Sequence, residues 1–68
     1  MSIYPNPVSK SFRIYGIAEN TLLTIIDMTG KILLQQIVNP DEAVSTGYLQ
    51  KGIYFVNVNG KIMKMIKQ

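Results

Sequence analysis

Near the end of the chain stands Asn59-Gly60, with the apolar runs GIYFVNV before it and KIMKMIK after it. Asn-Gly between two such runs is the strongest short-range signal for a two-residue β-hairpin, because a type I′ turn needs positive φ at both central residues. A loop that short leaves no freedom of register. Val58 must face Lys61, Val56 must face Met63 and Tyr54 must face Met65, while the opposite side pairs Asn57 with Ile62, Phe55 with Lys64 and Ile53 with Ile66. The first set is the more uniformly apolar, so Tyr54, Val56, Val58, Met63 and Met65 are expected against a core. The rest of the chain has to supply the other wall.

A second hairpin precedes it. The runs LLTIID (22–27) and KILLQQIV (31–38) flank Met28-Thr29-Gly30, which suits a three-residue loop closed by glycine in the left-handed region, with Asp27 accepting hydrogen bonds from the loop amides. An uninterrupted register then pairs Asp27 with Lys31, Ile25 with Leu33 and Leu23 with Gln35. Ile26, Thr24 and Leu22 share the other face with Ile32, Leu34 and Gln36. Leu23, Ile25 and Leu33 are the expected core side.

Upstream, SFRIY (11–15) alternates Phe12 and Ile14 with Arg13 and Tyr15 in the period of a half-buried strand, and 16–20 makes a turn. The opening Tyr4-Pro5-Asn6-Pro7 is expected to be extended and stiff, since each proline pushes the residue before it out of the helical basin. Its prolines confine it to a sheet edge or to the entry of the domain, with Tyr4 as the anchor into the core. Residues 39–42 read as a turn and 43–46 as a short strand, with Leu49 packing under the connection to Gly52. No segment carries a sustained helical repeat. The expectation is one domain spanning 1–68, with a strand core over about 11–67 and an opening segment at 3–10: an all-β, antiparallel sandwich or barrel of six or seven short strands.

The chemical inventory is sparse. A chain of 68 residues buries only roughly 60% of its unfolded surface. With no cysteine and no histidine, neither a disulfide, an imidazole metal site nor histidine-dependent catalysis is available. The acidic residues are Glu19, Asp27, Asp41 and Glu42, thin material for acid–base chemistry, and no glycine-rich phosphate cradle is present. Turn chemistry accounts for Asp27, Thr29 and Lys31 without a catalytic role. No enzyme activity, metal or cofactor is expected. The net charge is +3, and Lys61, Lys64 and Lys67 hold much of it. Lysines on a terminal strand also blunt an exposed edge, so nucleic-acid binding is not inferred from them. No apolar run approaches the ~18 residues of a spanning helix, and the N-terminus lacks the charged and apolar regions of a signal peptide. Tyr15, Tyr48 and Phe55 are candidates for a stacking platform.

The succession of these features resembles a known family. Tyr4-Pro5-Asn6-Pro7, then Asp27-Met28-Thr29-Gly30-Lys31, then Leu49-Gln50-Lys51-Gly52-Ile53-Tyr54-Phe55-Val56, and a closing basic strand over 61–67 look like the C-terminal sorting domain, type A, of cargo of the type IX (Por) secretion system of Bacteroidota. The resemblance implies an immunoglobulin-like β-sandwich and a non-catalytic signal. Such domains sit at the C-terminus of larger cargo that enters the periplasm, is taken across the outer membrane by the translocation machinery and is then released or held at the cell surface. A sortase-like protease typically removes the domain. The partners implied are the outer-membrane translocon, that protease and an N-terminal cargo domain, without membrane insertion. Matched by position, Tyr4, Pro5, Asn6 and Pro7 form the opening motif. Asp27, Gly30 and Lys31 form the middle turn, Gly52, Ile53 and Tyr54 the motif before the last hairpin, and Lys61, Lys64 and Lys67 the basic end. The residue pattern alone leaves two rivals: a carbohydrate- or surface-binding module with aromatics lining one sheet face, and a small nucleic-acid-binding barrel with its basic charge gathered on one face.

Overall fold

The Asn59-Gly60 turn has the backbone its composition demands, with φ of 55° and 80°. The structure, a computed structural model, describes residues 1–68. Seven strands follow in order: β1 (Ser2–Tyr4), β2 (Ser11–Tyr15), β3 (Thr21–Ile26), β4 (Ile32–Val38), β5 (Val44–Ser45), β6 (Gly52–Val58) and β7 (Lys61–Lys67). They form two antiparallel sheets of order β1-β2-β5 and β4-β3-β6-β7. The layers close over one core, with Ile3, Phe12, Ile14 and Val44 from the first sheet meeting Leu23, Ile25, Tyr54, Val56, Val58 and Met65 from the second. With β1, β2 and β5 in the places of strands A, B and E, and β4, β3, β6 and β7 in those of C′, C, F and G, this is an immunoglobulin-like sandwich. Tyr54, near the start of β6, donates its hydroxyl to the carbonyl of Gln50 at 2.6 Å, the tyrosine corner of such folds.

The β6–β7 register is the one the two-residue loop imposes, from Val58 opposite Lys61 to Gly52 opposite Lys67. The β3–β4 hairpin departs from its expected register after one pair. Ile26 does face Ile32, but Ile25 faces Leu34, Leu23 faces Gln36 and Leu22 faces Ile37. The physical reason is a β-bulge: Leu33 is an extra residue on β4, and it and Leu34 both pack partly against the core. Leu23 and Ile25 face inward as expected, and the outward partners on β4 become Ile32, Gln35 and Ile37.

The opening segment also differs. Tyr4-Pro5 and Asn6-Pro7 are both cis, and residues 5–7 bend where an extended path was expected. Tyr4 is 65% exposed and packs its ring edge against Tyr15 at 6.4 Å on the outside of β1-β2. Strand alternation explains the swap: Ile3 and Val8 supply the anchors, and Tyr4, next to Ile3 on β1, must point away.

Candidate recognition surface

β7 forms one margin of the four-stranded sheet, which makes its outer backbone edge the place to look for a partner strand. Much of that edge is already taken. The side-chain amide of Asn6 imitates a peptide unit there, donating from Nδ2 to the Lys64 carbonyl at 2.9 Å and accepting from the Ile66 N–H at 3.0 Å. Val8 continues the pairing in parallel with β7. Its N–H donates to the Ile66 carbonyl at 2.7 Å, and its carbonyl accepts from the Gln68 N–H at 2.8 Å. Residues 6–8 thus form a clasp along the second half of β7, from Lys64 onward, and Val8, fully buried, pins it to the core.

What remains open follows from ladder geometry. Backbone groups in an antiparallel strand alternate between the neighbour and the free side. Because Lys64 and Ile66 turn outward to Asn6 and Val8, Ile62 turns outward as well, and no bond beyond the ladders reaches it. The free edge is therefore short: the N–H and C=O of Ile62 and the N–H of Lys64.

The same alternation separates the lysines. A spacing of three along a strand puts successive residues on opposite faces, so Lys64 lies on the outer face of the sheet while Lys61 and Lys67 turn to the other side at the two ends of β7. They do not gather on one face, as the nucleic-acid reading required. The aromatic candidates are also scattered: Phe55 on the outside of the four-stranded sheet, Tyr15 outside the three-stranded one, and Tyr48 in the loop before β6. They form no common platform.

The other two motif groups meet. Asp27, Lys31 and Tyr54 line one open depression of about 520 Å³ together with Leu33, Tyr48, Leu49 and Gln50. Asp27 holds its turn through a single oxygen. Its Oδ1 accepts from the Thr29 hydroxyl at 2.6 Å, from the Thr29 N–H at 2.8 Å and from the Lys31 N–H at 3.0 Å. Gly30 closes the loop at φ 89°. Gly52 opens β6 at φ 153°, a conformation L side chains rarely adopt, and Ile53 beside it faces outward opposite Ile66. Pro5 and Pro7 bring Asn6 to the edge. The hydrogen bond from the Thr29 hydroxyl, then that from the Lys31 amide, hold the Asp27 carboxyl below the usual carboxylate value. A carboxyl depressed on folding contributes stability that is present above its unfolded pKa and lost as the pH falls through the folded one. Asp27→Asn is therefore expected to flatten the acid limb of stability below about pH 4, read by urea melts at several pH values.

Comparison with known families decides among the readings. The family model of the secretion system C-terminal sorting domain matches residues 2–68. The chain belongs to that family. A search of curated proteins finds no significant match. Membership makes this sorting domain part of a signal that assigns proteins to a secretion system. No helix of the sorting domain is long and apolar enough to cross a membrane. Sequence reasoning overlooked Val8 and the edge-capping role of Asn6, since their partners lie about sixty positions away and no local pattern points to them.

Proposed function

We propose that this sorting domain is a non-catalytic signal that directs an attached cargo across the outer membrane through the type IX secretion system. The translocon reads the folded sandwich at the margin of β7, and a sortase-like protease then cuts upstream of it. Supporting this is the clasp: it ties down residues 64–68 and leaves the backbone of Ile62 and the amide of Lys64 as a short, rigid template for strand addition. Lys64, exposed beside that template, supplies charge for an acidic receptor strand.

The test is a secreted reporter carrying the chain at its C-terminus, expressed in a host with this machinery. Removing residues 64–68 is expected to leave the reporter in the periplasm. That truncation also takes Met65 from the core, so Ile62→Pro is the sharper variant. It deletes an outward N–H that the β6–β7 ladder does not use, at an edge where proline is tolerated. Export should fall at least tenfold while the circular dichroism melt stays close to that of the parent. Export of both variants at the parental level would overturn the reading.

A further inference from the structure

The side-chain amide carbon of an asparagine is open to attack by the backbone nitrogen of the next residue, which closes a five-membered imide and expels ammonia. The next residue therefore decides which asparagines react. Asn6 and Asn39 precede prolines, whose nitrogen has no hydrogen to lose, and Asn20 and Asn57 precede Thr21 and Val58, whose branched Cβ crowds the nitrogen. Asn59 alone precedes a glycine. Both residues of that turn are exposed, and no atom lies within 4 Å of the place where a Cβ on Gly60 would stand. Nothing shields this nitrogen by bulk, so only conformation can hold the reaction back.

Two features do so. In a type I′ turn the first central residue has ψ of roughly +30°, which with the φ of 55° found here sets the Asn59 side chain and the Gly60 nitrogen on opposite sides of the Cα–C bond. The Gly60 N–H also donates to Asn57 Oδ1 at 3.0 Å, which fixes the peptide plane and engages the proton that has to leave. Bringing the two reacting atoms together means turning the Asn59 Cα–C bond. That motion breaks the bond to Asn57 and parts Val58 from Lys61, the pair that closes the hairpin.

We propose that Asn59 is a self-modification site gated by folding, intact in the closed hairpin and deamidated when the turn opens. The Gly60 nitrogen gives its proton to solvent and its lone pair forms a bond to Asn59 Cγ, while the Cγ–Nδ2 bond breaks and Nδ2 takes up a proton and leaves as ammonia. Water then adds across one of the two imide C–N bonds. Opening at Cγ gives aspartate, and opening at the main-chain carbonyl gives isoaspartate, whose backbone runs through Cβ and Cγ and is one atom longer. Aspartate still suits the turn, since Asp-Gly is as favoured there as Asn-Gly. Isoaspartate lengthens a loop whose brevity sets every pair from Val58 opposite Lys61 to Gly52 opposite Lys67. A chain that folds promptly keeps its last hairpin, and one that lingers unfolded loses the means to close it.

This inference is independent of the export reading. The test holds the 68-residue chain in mildly alkaline buffer, with and without enough guanidinium chloride to unfold it, and follows the tryptic peptide spanning 52–61 by mass spectrometry. Deamidation is expected to run at least tenfold slower in buffer, where only the opened fraction reacts. Asn57→Ala, at a partly exposed position, should speed it several-fold in buffer while circular dichroism shows the chain folded. The isolated isoaspartate form should melt well below the parent, and Asn59→Asp close to it. Equal rates in buffer and denaturant overturn the proposal. So does a rate in buffer that Asn57→Ala leaves unchanged, and so does an isoaspartate form that melts with the parent.

Discussion

Phe12→Ala is expected to unfold a large fraction of the chain and to strand an attached cargo in the periplasm. Phe12 is fully buried on β2, opposite Val44, and is one of the largest side chains in the core. Truncating a buried phenylalanine costs roughly 3–5 kcal/mol. At about 0.05–0.15 kcal/mol per residue, a chain of this length holds only about 3–10 kcal/mol in all. No disulfide offsets the loss. Urea melts followed by circular dichroism would show the midpoint collapse, and Phe12→Leu, which keeps most of the volume, should retain most of the stability. The pair also separates two modes of recognition. If the translocon reads a folded sandwich, export falls with Phe12→Ala and survives in Phe12→Leu; parental export of the alanine variant would mean that an unfolded tail is recognised.

The second large effect is expected at Asn6, the one side chain that bonds both a carbonyl and an amide of β7. Asn6→Ala removes both hydrogen bonds, at roughly 0.5–1.5 kcal/mol each. The loss should be local, because Val56 and Val58 stay in the core while the last turn of pairing frays. Amide exchange should accelerate at Ile66 and Gln68 far more than at Val56. Asn6→Asp is the informative intermediate: its carboxylate still accepts from the Ile66 N–H but has nothing to donate to the Lys64 carbonyl. Unchanged protection at Ile66 in the alanine variant would show that Asn6 does not hold the strand.

How much of this was legible in the sequence depended on how local each cause was. The β6–β7 register was readable because a two-residue loop permits only one, and the Asp27 turn because its acceptor and donors lie within five positions. The β3–β4 register was not. LLTII and ILLQQIV are apolar on both faces, so nothing in a period-two count reveals that Leu33 is one residue too many. An aromatic side chain beside two prolines points to Tyr4 as the anchor, whereas alternation along β1 gives that place to Ile3. The separation of Lys61, Lys64 and Lys67 was implicit in their spacing once they were placed on a strand. The clasp had no local signature: the residues on its two sides are joined only by the closing of the sandwich.

The parallel course of that clasp has a mechanical consequence. Residues 6–8 and 66–68 run in the same direction, so tension applied between the two chain ends slides one past the other. The hydrogen bonds at Asn6 and Val8 are then loaded together in shear, where a hairpin pulled open would release them singly. If a cargo is drawn along ahead of the domain, as proposed above, its pull is resisted at the same residues that shape the margin of β7.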